Sequence, residues 1–296
     1  MKNKITALIL AVLTAFSALA ITSCSEKSGY PVTVAGVKIE SEPENIVILS
    51  KNYADIISYI GYDEKLVGRS DEVNQKGMHV VPSVGPAAKA SVSKIKELKA
   101  DVVFAENNLN ADTKAQLEKS GIKVVIPDKA ENKKQLKNLY IQLGTILGGS
   151  KSGKEKGRQA CKKLLGELDD VKDIVTEKSK NLTICYLYLE KGKLKTMNEG
   201  TWGAELLDYT GETNVLKHQK TNEVNPKKLL RSNPDFIFCE NRAVADKLRS
   251  SNYLKGLSAL RGGLRAVAYD EITMQGATSL YAVKKMLKKM YSEDFK

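Results

Sequence analysis

The chain has 296 residues, of which 42% are hydrophobic and 28% charged, a balance typical of a folded globular protein with one large or two medium domains. The formal net charge is +12, but the lysines are spread along predicted helices and form no basic patch interleaved with aromatic residues, which argues against nucleic-acid binding. Only two histidines are present, and the HExxH, GxSxG and CxxC motifs are missing. The sequence therefore predicts no catalytic residues, no resident metal and no cofactor.

The first 24 residues have the features of a lipoprotein signal peptide. Basic Lys2 and Lys4 precede an apolar run over residues 5–21, which is followed by Thr22, Ser23 and Cys24. Small residues before a cysteine suit cleavage at Ser23/Cys24, after which the thiol carries a diacylglycerol group. An ordinary signal peptide with a chance cysteine is the alternative. The interpretation predicts a protein that is attached by lipid to the extracytoplasmic face of the cell membrane.

Three further cysteines are present: Cys161, Cys185 and Cys239. Their odd number and irregular spacing do not predict a disulfide framework. Cys185 and Cys239 lie inside apolar runs typical of strands, so they are interpreted as small buried hydrophobic residues in preference to a bridge.

Residues 25–129 alternate short apolar runs with helical periodicity, which predicts parallel strands joined by crossover helices. Ile46–Leu49 is the first predicted strand, followed by a helix with Asn52 as N-cap and Tyr53 on its apolar face, where it is more readily a core residue than a ligand contact. The remaining predicted elements of this first α/β lobe are strands at 66–68, 102–105 and 124–126 and helices at 92–98 and 111–119.

Residues 130–179 form a predicted helical connector. A first helix, a break at Gly148-Gly149 and a second, lysine-rich helix account for this stretch, which contains no strand-like run. Residues 148–154 also satisfy the GxxxxGK pattern of a phosphate-binding loop. However, Glu155 occupies the place of the magnesium-binding Ser or Thr and the preceding segment is a predicted helix, so a nucleotide site is rejected.

The α/β alternation resumes over residues 180–296, which form a second predicted lobe. Its predicted strands are 182–188, 236–239 and 266–269, and its predicted helices are 203–209, 226–231, 243–249 and a C-terminal helix.

The order of short sequence motifs resembles the periplasmic binding proteins of the iron-siderophore, haem and vitamin B12 class, which serve ABC importers. The matching stretches cover nearly the whole mature chain: residues 43–50, 61–68, 82–85, 95–103, 143–148, 201–211 and 233–237. The resemblance implies a class III fold, in which two Rossmann-like lobes with central, mainly parallel sheets are joined by a long rigid helix. It also implies a ligand cleft between the lobes, small closure on binding, and ABC permease and ATPase subunits as partners.

Open parallel sheets bind ligands beyond the carboxyl ends of their strands, so the loops at those ends supply the candidate site. Lys51, Arg69 and Arg242 are expected to contact charged groups of an anionic chelate, and a helix N-terminus near Asn52 offers free amide donors. Trp202 is either a platform for a flat ligand or, slightly in preference, a packing residue. The complete predicted ligand-binding set is Lys51, Asn52, Arg69, Pro86, Asn107, Tyr188, Trp202 and Arg242.

The residues at the expected permease-docking positions differ from those that the resemblance implies. Many members of the class carry one glutamate on each lobe to pair with arginines of the permease, and those positions hold Ser93 and Lys227 here. The neighbouring Glu97 and Glu223 are the candidate replacements.

A chelated iron of the siderophore type is the expected ligand, because the candidate cleft residues are basic. Cobalamin or cobinamide is the alternative within the class, whereas axially ligated haem is disfavoured because the cleft loops lack His and Met. Met78, His79 and His218 are interpreted as surface residues. Two other classes stay open: a lipid-anchored surface enzyme on a similar scaffold, and a sensory or adhesion module without transporter docking. The protein is expected to be a monomer.

Overall fold

A computed structural model describes residues 29–176 and 179–291. The predicted signal peptide and Cys24 lie outside the described residues. A short antiparallel hairpin of β1 (Val32–Val34) and β2 (Val37–Ile39) precedes two larger sheets. Each sheet, with its surrounding helices, is called a lobe below.

The first sheet is entirely parallel, as predicted, and its strands follow the order β4-β3-β5-β6. Strand β3 is buried along its whole length, which explains its continuous apolar sequence, because helices cover both faces of such a sheet. The elements of this lobe are β3 (Ile46–Ile48), α1 (Lys51–Ile60), β4 (Leu66–Arg69), α2 (Val92–Glu97), β5 (Val102–Phe104), α3 (Ala111–Lys119) and β6 (Lys123–Val125).

Helix α1 begins two residues earlier than predicted. Its N-cap is Ser50, whose hydroxyl accepts the Tyr53 N–H at 3.2 Å, and Asn52 lies inside the first turn, so the predicted cap at Asn52 is wrong. The helix ends at Gly61, whose φ of 85° is in the left-handed region. Tyr53 is 1% exposed, which confirms it as a core residue.

The predicted connector is a helical hairpin. Helix α4 (Lys133–Gly148) passes through one π-helical turn (Gly149–Gly153) into α5 (Lys154–Thr176). The turn coincides with the GxxxxGK pattern, and the preceding segment is a helix, in agreement with the rejection of a nucleotide site.

Glycines allow α4 and α5 to pack backbone against backbone. A Cβ atom on Gly144 would overlap the Gly153 carbonyl oxygen, and one on Gly157 would overlap the Tyr140 carbonyl oxygen. The glycine-rich sequence is therefore explained by the close approach of two helices.

Helix α5 is 23 residues long, about 34 Å at 1.5 Å per residue, and contacts elements of both lobes. A single hydrophobic core runs from the first sheet through this hairpin to the second sheet, joining residues such as Ile48, Leu143, Leu164 and Tyr186. Smaller clusters cover the outer faces of the two sheets.

The second sheet has the order β11-β10-β7-β8, with the two-residue β9 pairing with the start of β7. All pairs are parallel except the β7–β8 hairpin. The elements are β7 (Thr183–Glu190), β8 (Lys193–Thr196), α6 (Trp202–Asp208), β9 (Thr213–Asn214), α7 (Pro226–Ser232), β10 (Phe236–Cys239), α8 (Arg242–Ser250), β11 (Leu264–Ala266), α9 (Tyr269–Thr273) and α10 (Ala277–Met290).

The last strand begins two residues and ends three residues earlier than the predicted range of 266–269. Strand β11 ends at Ala266, and Tyr269 opens helix α9 instead of ending a strand. The reason is local capping: the Glu271 carboxylate accepts the Ala268 N–H at 2.9 Å and so starts a helix there.

Cys161, Cys185 and Cys239 are free and buried, which agrees with the interpretation of the last two as apolar strand residues. Among the residues that the structure describes, no helix has the length and apolar character required to cross a membrane.

Candidate ligand cleft

A cavity of about 400 Å³ lies where the carboxyl ends of strands from both lobes meet. This is the place that the parallel-sheet rule predicts, and the volume is within the usual range for small-molecule sites. The lining residues are Lys51, Asn52, Tyr53, Glu106, Lys129, Ala130, Glu131, Tyr188, Met197, Thr201, Trp202, Gly203, Tyr269, Asp270, Thr273, Met274 and Gln275.

Two side-chain contacts cross the cleft from α1 to the segment around α9. The Lys51 ammonium lies 2.7 Å from the Asp270 carboxylate. Asn52 Nδ2 donates to Gln275 Oε1 at 2.8 Å, while Asn52 Oδ1 is buried without a hydrogen-bond partner among the described residues. A buried amide oxygen without a partner is costly, so Asn52 offers a ready acceptor at the cavity.

Aromatic rings form one wall of the cavity. Tyr188 at the end of β7 and Tyr269 at the start of α9 have ring centroids 4.9 Å apart. Burial raises the pKa of both phenols, and the nearby carboxylates Glu190 and Glu240 raise each further, so the rings stay neutral at physiological pH. This wall suits a ligand with an apolar face.

Trp202 is 4% exposed, and its Nε1 donates to the Met274 carbonyl oxygen at 3.0 Å and to Ser279 Oγ at 3.3 Å. These two hydrogen bonds fix the indole in the wall, which agrees with the interpretation as a packing residue. Because Trp202 also lines the cavity, its ring remains within reach of a bound ligand.

Four of the predicted ligand-binding residues come together in the cavity: Lys51, Asn52, Tyr188 and Trp202. The other four do not line it. Pro86 and Asn107 are exposed, although the adjacent Ala87 and Asn108 line a neighbouring cavity.

The two predicted arginines lie outside the cavity for separate reasons. Arg69 donates from Nε to the Met78 carbonyl oxygen at 2.8 Å and from an Nη to the Ser70 carbonyl oxygen at 3.0 Å, so it holds a loop together. The Arg242 side chain is 91% exposed and lies 3.5 Å from Asp246 on its own helix. The expectation of an arginine-rich, anion-binding cleft therefore has no support from these side chains.

Sequence reasoning missed several cavity residues, chiefly Lys129, Glu131, Tyr269, Met274 and Gln275. The first two follow β6, and the carboxyl-end rule applied to that strand would have found them. The others follow β11, whose end was predicted in the wrong place.

Carboxylates outnumber ammonium groups in this cavity. The lining includes three carboxylates, Glu106, Glu131 and Asp270, and two ammonium groups, Lys51 and Lys129; Lys51 is paired with Asp270. Glu106 is held in place by the Ser50 hydroxyl, which donates to its carboxylate at 2.6 Å.

The prediction that Met78 is a surface residue is wrong, since it is 7% exposed and packs in the main core. His79 is exposed, and the His218 ring lies 3.0 Å from Glu199 with 75% of its side chain exposed. Met197 and Met274 line the cavity, so it contains methionine side chains although the cleft loops lack His and Met. No group of three or more His, Cys, Asp and Glu side chains in the described part of the chain is arranged to hold a metal ion.

The candidate docking residues are on the surface. Glu97 is exposed at the end of α2, and Glu223 is exposed with its carboxylate 3.2 Å from Lys193 Nζ. Ser93 and Lys227, at the positions where the resemblance implies glutamates, are exposed as well.

Comparison with known proteins agrees with this geometry. A solved structure from Staphylococcus epidermidis, described as a possible iron-binding (periplasmic solute-binding) protein, superposes with a TM-score of 0.72 at 15% identity, covering 85% of this chain and all of that one. A periplasmic haem-binding protein of Vibrio cholerae gives a TM-score of 0.68 at 16% identity, with 84% and 99% coverage. These likenesses establish the fold.

Sequence relationships establish more than the fold. An uncharacterised ABC transporter substrate-binding lipoprotein of Bacillus subtilis (strain 168) is 23% identical over 280 residues, which is 90% of this chain and 88% of that protein. The model of the periplasmic binding protein family matches residues 46–268. Members of this family are solute-binding components of transport systems and not enzymes, which confirms the non-catalytic interpretation. The chain belongs to the periplasmic binding protein family, and its place is that of a substrate-binding protein of an ABC importer.

Proposed function

We propose that this protein captures an iron chelate of the siderophore type in the cleft between its lobes and delivers it to an ABC permease. The observation that carries the proposal is the cavity at the strand ends, where both lobes supply lining residues and an aromatic pair is combined with hydrogen-bonding groups. Aromatic rings and a few convergent polar groups are typical of sites that bind a compact organic ligand.

The size of the cavity suits a compact chelate. A volume of about 400 Å³ matches a ligand of a few hundred daltons, whereas a corrinoid with its side chains needs the adjoining space as well. Cobalamin and cobinamide are therefore included as alternatives in the ligand-binding test described below.

Lipid anchoring through Cys24 belongs to the same proposal. The sequence of residues 1–24 supports it, and the relationship to a substrate-binding lipoprotein is in keeping with it. We propose a monomer that is divided at about residues 130 and 179 into two lobes and a connector, with Glu97 and Glu223 near the permease contact. Replacement of Cys24 by serine is expected to abolish labelling with radioactive palmitate and to release the protein from the membrane fraction. Continued labelling of that variant would contradict lipid attachment through Cys24.

The ligand is tested by thermal shift with the purified protein and a panel of iron-loaded and iron-free hydroxamates, haem, cyanocobalamin and cobinamide. A ligand that binds only the folded state raises the Tm by mass action. We expect a selective rise with an iron-loaded hydroxamate, no rise with its iron-free form, and one-to-one binding in calorimetry. A selective rise with a corrinoid or with haem would replace the proposed cargo, and no rise with any ligand would favour a sensory or adhesion role.

A further inference from the structure

The ion pair between Lys51 and Asp270 spans the cleft at its rim. Lys51 is the first residue of α1 in the first lobe, and Asp270 is the second residue of α9 in the second lobe. Their charged atoms lie 2.7 Å apart, and their side chains are 26% and 58% exposed. A partly exposed pair of this kind contributes little free energy, so it can be broken at low cost.

A second cavity adjoins the first at this ion pair. It measures about 410 Å³ and shares Lys51, Glu106 and Asp270 with the cavity of about 400 Å³ described above. Its further lining residues are Leu49, Ser50, Glu72, Asn74, Ala87 and Asn108. The residues that both cavities share are the two members of the ion pair and one carboxylate beside it.

Carboxylates outnumber ammonium groups across the two cavities. Carboxylates are supplied by Glu72, Glu106, Glu131 and Asp270, and ammonium groups only by Lys51 and Lys129. Once the ion pair opens, the Lys51 ammonium and the Asp270 carboxylate both become available to a ligand, and the carboxylates remain in excess. Asn52 Oδ1 adds a neutral acceptor. Desolvating a polyanion among these groups is unfavourable, whereas a ligand with a positive charge or N–H donors is favoured.

We infer that the Lys51–Asp270 ion pair is a removable partition, which the ligand opens to occupy both cavities, and that the carboxylates lining the merged cleft select a neutral or cationic chelate over an anionic one. The inference rests on the proposed function, because it concerns the ligand of the same cleft. It replaces the sequence-based expectation of an anionic chelate, which depended on Lys51, Arg69 and Arg242; the two arginines lie outside the cavity, and Lys51 is paired with Asp270.

The test uses one chelate framework in three charge states: ferrioxamine B, which is cationic through its terminal amine, its neutral N-acetyl derivative and its anionic N-succinyl derivative. Each is titrated into the purified protein by calorimetry. We expect the cationic and neutral forms to bind at least about tenfold more tightly than the anionic form, since a like charge placed against unpaired carboxylates is strongly disfavoured.

Substitution of Lys51 tests the partition itself. Lys51→Met removes the ion pair and leaves Asp270 free, so ferrioxamine B is expected to bind about threefold or more tightly to this variant than to the parent. Lys51→Arg keeps the pair and is expected to bind like the parent. Lys65→Met is the matched control, because Lys65 pairs with Glu42 at 2.6 Å with similar exposure and does not line either cavity.

The outcomes separate this inference from the proposed function. Tightest binding of the anionic derivative, or weaker binding to Lys51→Met, overturns the inference while leaving a chelate-binding protein in place. If the ligand panel identifies a corrinoid, the same charge comparison is made with cobinamide and cobyrinic acid. Cobyrinic acid carries carboxylates in place of the side-chain amides of cobinamide. Tighter binding of cobinamide is then required. Absence of binding by every member of the panel overturns both proposals.

Discussion

The carboxylate of Asp55 on α1 caps the N-terminus of the C-terminal helix α10. Asp55 Oδ2 accepts the N–H of Gly276 at 2.7 Å, and Oδ1 accepts the Thr278 hydroxyl at 2.9 Å. A Cβ atom on Gly276 would overlap the backbone of Asp55, so the two segments meet without room for a side chain. This contact fixes the segment that carries Met274 and Gln275 into the cleft, because that segment leads directly into α10.

Asp55→Ala is expected to lower the free energy of unfolding by about 1–3 kcal/mol, because it leaves buried donors without an acceptor. Burial raises the pKa of Asp55, an effect only partly offset by its bonds to Thr278 and Gly276. A raised pKa means that the folded state binds the proton more tightly than the unfolded state. The contribution of this carboxyl to stability is therefore largest below its ordinary pKa and falls as pH rises through the raised value.

The destabilisation caused by Asp55→Ala should thus be larger at about pH 4 than at about pH 7, as measured by urea unfolding of parent and variant at both values. If Asp55→Ala lowers the free energy of unfolding more at about pH 7 than at about pH 4, the hydrogen bonds to Gly276 and Thr278 stabilise the charged carboxylate more than its burial destabilises it.

Gly157→Ala is expected to cost about 1–3 kcal/mol of stability, because its new methyl group would overlap the Tyr140 carbonyl oxygen in the adjacent helix. Gly166→Ala is the matched control in the same helix: no heavy atom lies within 4 Å of its added Cβ, so it should be neutral or stabilising by up to about 1 kcal/mol. Thermal unfolding of both variants makes the comparison. Equal effects would contradict backbone-to-backbone packing of the hairpin.

Trp202 provides an intrinsic optical probe, since it is the only tryptophan in the chain and lines the cleft. An iron chelate bound there should quench most of the tryptophan emission, with saturation at one equivalent. The Trp202→Phe variant should show no tryptophan emission to quench, while calorimetry still detects binding of the ligand. Calorimetric binding to the parent without quenching would place the ligand elsewhere.

The three described thiols should resist modification in the folded protein. Burial raises the pKa of Cys161 to about 11 and that of Cys239 to about 12, and it raises the pKa of Cys185 as well. Since the thiolate is the reactive form, Ellman's reagent at mildly alkaline pH should titrate none of them until denaturant is added.

After denaturation the same assay counts the thiols. A lipid-modified protein should yield three equivalents, whereas a chain with a free Cys24 should yield four, because the sequence contains four cysteines. Rapid reaction of the folded protein would contradict the burial of the strand cysteines.

Element type and order could be predicted from the sequence where a periodic apolar pattern coincides with capping residues. Helix α3 spans Ala111–Lys119 as predicted, because Asn110 caps it by accepting the N–H of Asp112 at 2.9 Å and that of Thr113 at 3.1 Å. Strand β11 was misplaced because its apolar run continues past the last paired residue. Only the Glu271 cap, formed by a residue with no apolar signal, ends the extended segment.

The cleft could be located from the sequence, but its chemistry could not. Asn241 caps α8 by accepting the Val244 N–H at 3.3 Å, which places Arg242 on the first turn with its side chain in solvent. A loop position alone does not determine whether a side chain turns towards the cleft or away from it. Likewise, no local pattern indicated that Lys51 would be neutralised by Asp270, which is 219 positions away.

The continuous core and the glycine-lined hairpin have a consequence for how an importer recognises a loaded carrier. Because Ile48 and Tyr186 belong to one core that passes through α4 and α5, a large rotation of one lobe relative to the other would disrupt side-chain packing on both sides of the cleft. Shape alone then conveys little about occupancy. If a ligand opens the Lys51–Asp270 ion pair as proposed, the charges that are paired at the rim differ between the empty and the loaded protein, and that difference is available to signal occupancy.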